Sequence, residues 1–335
     1  MLIKHPPTDQ IIIDCLNADY GINVVMLTVI PLGADQGSSV YKAIAQDQSS
    51  YFIKLKHDHH HGISVDIVEL LRKERIQQII PPIKSVHGGS TQHLQDFTLI
   101  VYPFIEGQDG FSRALSHEQW LTLGKTLKQV HETDVPSVMQ QNIRQESYSP
   151  KWREIVRSFY PHIESPSVAD DIALLLLAFM KEKLPTIRQL VDRAEQLAQL
   201  LQNETIRFVL CHSDIHGGNV LLDGASTLYI VDWDDSIMAP KERDLMFIGG
   251  GVGNVWNNPQ EETFFYEGYG KADINMTLMA YYRHERIVED IALYCQGVLT
   301  TAEGNDRSVM YMHFIAMFQP MGVVDIAYIT YFNCK

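Results

Sequence analysis

Three side chains in one stretch could together move a phosphoryl group. In residues 207–235, RFVLCHSDIHGGNVLLDGASTLYIVDWDD, Asp214 is followed five positions later by Asn219, and Asp232 closes an apolar run thirteen positions beyond that. A carboxylate that takes or orients a proton, with an amide and a second carboxylate to hold Mg²⁺, is what phosphoryl transfer asks of a protein. Mg²⁺ takes hard oxygen ligands and keeps waters and phosphate oxygens as the rest of its shell, so Asn219 and Asp232 suffice as protein ligands. The Asp-x4-Asn spacing is that of the kinase catalytic loop, with Asp214 in the place of the base. A fourth group, Lys54, lies inside the apolar, β-prone run YFIKLK. A lysine there needs anionic company, which makes Lys54 the candidate to grip the α- and β-phosphates of ATP. Glu69, fifteen residues on, is the first candidate to steady it, with Asp66 and Glu74 as rivals on other helix faces.

The elements that must position these groups follow from periodicity. Around the first three, Arg207–Cys211, Asn219–Leu222 and Thr227–Val231 read as strands, with Asp223-Gly224 as the turn of a hairpin. Ahead of them, a helix over 8–20 precedes strands at Val24–Leu32, Val40–Ala45, Tyr51–Lys56, Ile83–Val86 and Phe97–Tyr102. In Tyr51–Lys56 the alternation puts Tyr51, Ile53 and Leu55 on one face, with Phe52, Lys54 and Lys56 on the other. Lys56, nearer the strand end, reads as solvated. The helix carrying Glu69 spans Ser64–Ile79 and stops before Pro81-Pro82, since proline cannot continue it.

The loop GADQGSSVYKA, between two strands, could lay backbone N–H groups over phosphates, with Gly37 and Ser38 as the candidates. It matches neither the Walker pattern nor the kinase GxGxxG. The histidine run in HDHHHG (57–62) lacks the fixed spacing of a metal site and reads as a solvated loop. After YPFIEGQDG the chain is helical: Ser116–His131, Trp152–Phe159, Ser167–Lys183 and Thr186–Gln202 split at Pro185, Tyr281–Leu299, and an apolar tail over Tyr311–Tyr331.

The loop HSDIHGGNVLLD followed by IVDWDD resembles the aminoglycoside phosphotransferase family, whose members carry a similar His-x-Asp-x-His-x-x-Asn loop and an Ile-Asp-Trp type strand. The resemblance implies an α+β, bilobal protein-kinase-like fold. A small antiparallel-sheet N-lobe (1–102) would bind nucleotide, residues 103–110 would form the hinge, and a larger, mainly helical C-lobe (111–335) would carry catalysis and substrate. It further implies that main-chain groups of Pro103, Phe104 and Ile105 bind adenine, that Asp244 supports the site from a helix beneath it, and that His131 packs. ATP and Mg²⁺ are the implied cofactors. The implied acceptor is a hydroxyl of an aminoglycoside or a spectinomycin-like aminocyclitol, a modification that confers antibiotic resistance. Choline, homoserine and methylthioribose kinases resemble the same hairpin, so the acceptor stays open on these motifs alone. A protein kinase is disfavoured, because the chain has no His-Arg-Asp, Asp-Phe-Gly or Ala-Pro-Glu segment.

Composition sets the outer bounds. The 335 residues are enough for two lobes, each with its own core. A formal net charge of −14 argues against nucleic acid, whose backbone needs a basic stripe. It suits a cationic small substrate, or simply keeps the protein in solution. Aromatic and acidic residues interleave over 254–299, and Trp256, Tyr281 and Glu285, with Asp234 and Asp235 beside the metal carboxylate, are the candidate contacts for ammonium groups. Four scattered cysteines suggest a reducing compartment. The N-terminus lacks a signal peptide's apolar stretch, and the longest apolar run, Ile172–Met180, is too short to span a bilayer. The expectation is a cytoplasmic enzyme with no membrane contact and no obligate protein partner.

Overall fold

The structure, a computed structural model, describes residues 6–30, 38–57, 62–164, 170–300 and 305–334. The chain forms two compact units. The first comprises residues 1–112, 133–143 and 219–236; the second comprises 113–132, 144–218 and 237–335. The hairpin expected to hold the metal thus folds with the N-terminal part of the chain, while Asp214 belongs to the second unit.

The first unit is built on an antiparallel sheet of β1 (Val24–Val29), β2 (Ser38–Ala45), β3 (Ser50–Lys56), β4 (Gln92–Leu94) and β5 (Phe97–Pro103), in the order β1-β2-β3-β5-β4. Alternate side chains of the three central strands (Tyr41, Ala43, Ala45, Ile53, Leu55, Phe97, Leu99 and Val101) bury one face. The helix Asp9–Tyr20 covers that face with Ile12, Cys15, Leu16 and Tyr20, at the 3–4 residue spacing of one helical stripe. Gly21 ends the helix in the left-handed conformation (φ 65°), its N–H donating to the carbonyl of Leu16. Lys54 stands on the opposite face of the central strand, between Val40 and Ile100 on its neighbours.

Two expected elements differ. Ile83–Val86 is not a strand: the N–H of Ser85 donates to the carbonyl of Gly89 in a turn, and the edge strand is Gln92–Leu94. The helix that begins at Gly62 stops at Lys73, six residues before the expected end, and Arg75 takes a left-handed conformation (φ 64°).

A second small sheet of this unit pairs Leu228–Ile230, Val220–Asp223 and Gly107–Asp109, all antiparallel. The strand Val209–Cys211 does not join it. That strand pairs instead with Ile237–Ala239, which also pairs with Arg144–Gln145, in the second unit. The hairpin of the last two strands is as expected, and the first strand of the stretch lies in a different sheet. In the turn at 223–227 the left-handed residue is Ser226 (φ 67°) rather than Gly224, and the side chain of Asp223 accepts the Thr227 N–H.

In the second unit, the helix Asp171–Leu201 is continuous through Pro185. A proline inside a helix costs about 3 kcal/mol. Burial of Leu176, Leu177 and Met180 before it, and of Ile187, Leu190 and Val191 after it, in one core outweighs that cost. The helix Met276–Thr300 packs into the same core through Ile287, Val288, Ile291 and Cys295, and starts five residues earlier than its apolar pattern suggests. The apolar tail is two helices, Asn305–Ala316 and Val323–Asn333. The helices His117–Glu132 and Pro259–Tyr269 meet at Gly124 and Gly268; a Cβ at either would lie about 2 Å from a carbonyl oxygen of the other helix. No helix among the described residues is long and apolar enough to cross a membrane.

Candidate active site

Within the first unit the central strand delivers Lys54 to a pair of carboxylates. Its Nζ lies 2.8 Å from Asp232 Oδ1 and 2.5 Å from Asp234 Oδ2. Asp232 leaves its strand in the left-handed region (φ 63°, ψ 68°), which Asp and Asn tolerate better than other side chains. This bend starts the 3₁₀ turn Trp233–Asp235. The buried Trp233 anchors the turn, its Nε1–H donating to the carbonyl of Ile230 at 3.2 Å. Burial disfavours the Lys54 ammonium, but the charges of Asp232 and then Asp234 outweigh it and hold the lysine above its ordinary pKa. Burial likewise opposes ionisation of Asp234, and Lys54 and Lys56 overcome it, so that carboxyl sits well below the usual range. Lys56 is a correction: it is buried, with Nζ 2.6 Å from Asp234 Oδ2, rather than solvated at the strand end.

Within the second unit Asp214 is held at both oxygens. Arg286 Nη1 donates to Oδ1 at 2.8 Å, and His216 Nε2 lies 3.3 Å from Oδ2. The Gly218 N–H donates to His216 Nδ1 at 3.0 Å, which leaves the ring proton on Nε2, facing the carboxylate. Burial disfavours the Asp214 carboxylate. Arg286 opposes it first, then the hydrogen bond of His216, and together they hold the group far below the usual carboxylate range. Asp214 is thus an ionised, oriented acceptor at any neutral pH.

Below it, Asp244 takes the N–H groups of His212 (3.0 Å) and Ser213 (2.6 Å) and faces His131 Nε2 at 2.9 Å; the other ring nitrogen of His131 lies 2.7 Å from the Tyr269 hydroxyl. The left-handed Ser213 (φ 71°) lets two successive N–H groups converge on this one carboxylate. Ligand atoms of His131, Cys211 and Asp244 lie within 4.8 Å of one another. The hydrogen bonds already made by His131 and Asp244 account for that grouping as packing.

The remaining expected residues fall in different places. Asn219 ends the 3₁₀ turn Gly217–Asn219, its carbonyl accepting the Val231 N–H at 3.0 Å, so it is tied to the strand that leads into Asp232. Glu69 does not pair with Lys54: its carboxylate accepts from Ser90 and lies 3.6 Å from Lys84. The lysine's partners are instead Asp232 and Asp234. Ser38 opens β2 opposite Lys56, while Gly37 lies outside the described residues, as does most of the histidine run. Pro103 ends β5 opposite Tyr51, the Phe104 N–H donates to Ser50, and Ile105 is half-buried. Asp235 is exposed at the end of its turn.

Three candidate substrate contacts are corrected to packing. Trp256 is buried edge-on against Trp120, and Tyr281 is buried between Tyr148 and Tyr282. Glu285 is buried against Arg153 Nη1 at 2.5 Å. Aromatic and acidic density along a helix marks a core with an internal ion pair here. Arg286 and Lys56 are site residues the sequence reading missed. The alternation of β3 already placed Lys56 beside Lys54, whereas Arg286 reaches Asp214 across 72 positions and leaves no local signal.

Comparison with known proteins bears on the family and the fold. A family model described as the phosphotransferase enzyme family matches residues 28–283. The solved structure of spectinomycin phosphotransferase APH(9)-Ia in complex with ADP and spectinomycin is 46% identical, with 98% of this chain and 99% of that chain covered and a TM-score of 0.93. The AMP-bound complex of the same enzyme gives a TM-score of 0.88, at 46% identity over 96% and 99% of the two chains. An amicoumacin kinase in complex with AMP-PNP, Ca²⁺ and Ami shares the fold at 16% identity, with a TM-score of 0.63 over 96% and 94% of the two chains. A comparison with curated protein sequences finds no match. The chain has the kinase-like α+β fold and belongs to the phosphotransferase enzyme family.

Proposed function

We propose that this protein is a cytoplasmic ATP-dependent O-phosphotransferase whose acceptor is a hydroxyl of spectinomycin or a closely similar aminocyclitol. The observation that carries the reading is the 46% identity to spectinomycin phosphotransferase over almost the whole of both chains. Asp214 orients the acceptor hydroxyl and takes its proton late, since a largely dissociative phosphoryl transfer needs little help from a strong base. Lys54 neutralises nucleotide phosphates. Ser38, Gly37 and the main chain of Pro103, Phe104 and Ile105 contact the nucleotide, and residues 1–102 with the hinge 103–110 serve as its binding region. Asp234 and the exposed Asp235 offer carboxylates to an ammonium-bearing substrate.

The fit of a divalent cation rests on the donor set. Asp232 and Asp234 already direct hard anionic oxygens at a single cationic nitrogen, and Asn219 is bonded to the same strand. Asn219 and Asp232 would hold Mg²⁺, which when bound neutralises charge on the phosphates.

The test is ADP release by the purified protein offered spectinomycin, kanamycin, choline, homoserine and methylthioribose in turn. Turnover with spectinomycin at least a hundredfold above the others is expected; turnover with choline alone would overturn the antibiotic reading.

A further inference from the structure

Asp214 is held in an unusual way for a carboxylate beside a guanidinium. Arginine commonly meets a carboxylate with two parallel N–H groups, as Arg307 meets both oxygens of Asp170 here (2.9 and 2.6 Å). Arg286 instead divides itself. Its Nη1 takes only Oδ1 of Asp214, while its Nε lies 3.1 Å from Oδ1 of Asp290, one turn further along the helix Met276–Thr300. The ring of buried Phe247 stands 5.7 Å from this guanidinium and 6.2 Å from the ring of His216, so one apolar side chain backs both groups that hold Asp214. The Asp214 side chain nevertheless keeps 25% of its surface exposed. The carboxylate is fixed from behind and open in front.

We infer that Arg286 is a positioning residue for phosphoryl transfer, fixing the rotamer of Asp214 through its Nη1 while the charge of Asp290 beside its Nε steadies Arg286. The inference rests on the reading of Asp214 as the residue that orients the acceptor hydroxyl. The groups facing the cluster are His212 and His216 from the loop, Glu289, Asp290 and Tyr294 from the helix, and Arg243, which interacts electrostatically with Arg286 and Glu289. Arg286 is the guanidinium that donates to Asp214. Without it, Asp214 and Asp290 become like charges sharing a partly buried site, and each holds its proton more tightly. A second consequence is geometric: a carboxylate free to rotate misplaces the acceptor oxygen, and misplacement of about 1 Å costs on the order of a hundredfold in rate.

The experiment compares Arg286→Met, Arg286→Gln, Arg286→Lys and Asp214→Asn by kcat, KM for ATP and spectinomycin, and the acid limb of kcat between pH 4.5 and 8. Thermal melts report folding. For Arg286→Met and Arg286→Gln, kcat should fall roughly tenfold to a hundredfold with KM for ATP within about twofold. Asp214 of the wild type titrates below this window, and loss of the arginine beside the like charge of Asp290 should bring a new acid limb into it. Arg286→Lys restores a point charge without the planar fork, so it should return the acid limb to near its wild-type position while recovering only part of kcat. Arg286→Gln keeps a hydrogen-bond donor and covers the case in which the methionine variant does not fold. Wild-type kcat and acid limb in Arg286→Gln, with Asp214→Asn inactive, would overturn the inference. So would an acid limb in Arg286→Lys no lower than in Arg286→Gln, because a merely structural arginine predicts no rescue by charge. Full activity in Asp214→Asn would instead overturn the reading of Asp214 beneath it.

Discussion

Two aspartates of the second unit, Asp214 and Asp244, show how one side chain type serves chemistry in one place and architecture in the other. Asp244 is fully buried, and each of its oxygens is taken by the protein: two backbone N–H groups and the His131 ring. Asp214 is also charge-paired, yet a quarter of its side chain remains open. A buried polar group must satisfy its bonding capacity internally or pay a penalty of a few kcal/mol. A carboxylate that spends everything on its own backbone has nothing left for a substrate. One held by a divided arginine and a histidine keeps part of its side chain exposed. The difference lies in how the bonds are distributed, and burial alone does not reveal it.

The sharpest way to break this comparison is to truncate both. Asp214→Ala should lower kcat about 10²–10⁴-fold, the usual worth of a positioned acid–base group, with ATP affinity nearly intact by calorimetry. Activity near wild type would place Asp214 in the same structural class as Asp244. Asp244→Ala should act on stability instead. It strands the His131 ring N–H and the N–H groups of His212 and Ser213 in a buried site, at a cost of about 3–5 kcal/mol, seen as a depressed melting midpoint. A melting curve unchanged from wild type would remove Asp244 from the scaffold.

Much of this division was legible in the sequence, and the part that was not has physical reasons. The two-residue period of YFIKLK put Lys54 on the face away from the core, and the structure agrees. The Asp-x4-Asn spacing singled out the loop that carries Asp214. Pro185 misled because its local penalty was visible, whereas the core burying both flanks of the helix was not. Glu69 misled because helical proximity in sequence says nothing of which face turns to the strand; the partners of Lys54 came from 178 and 180 positions away. Tyr281 and Glu285 misled because composition cannot separate an aromatic, acidic binding wall from a core that contains an ion pair.

The lysine that found those distant partners offers a smaller test of the same contrast. Lys54→Met should weaken ATP binding by about one to two powers of ten, since a charge-assisted contact to phosphate is worth roughly 1.5–3 kcal/mol. Folding should be little affected, because Lys56 remains on Asp234. Calorimetry with unchanged ATP affinity would count against a role for Lys54 at the phosphates.

The smallest expected effect concerns Glu285, the acidic residue that the structure moves from substrate wall to interior. Burial raises its carboxyl from 4.5 to about 7, against the pull of Arg153. The sign follows from proton counting. Between those two values the unfolded chain has already released this proton while the folded protein still holds it, so stability falls as pH rises through the window. The slope cannot exceed about 1.4 kcal/mol per pH unit for one group. Glu285→Gln loses the charged pair with Arg153 that exists above the raised pKa, so its stability is lower there. Its slope between pH 5 and 7 should nonetheless be shallower than that of the wild type, and chemical denaturation at four or five pH values measures that difference directly. Parallel slopes would mean that Glu285 is ionised in the folded protein throughout. Its pair with Arg153 would then be a fully charged one, nearer to the design of Asp214 and Arg286 than to the neutral packing its burial suggests.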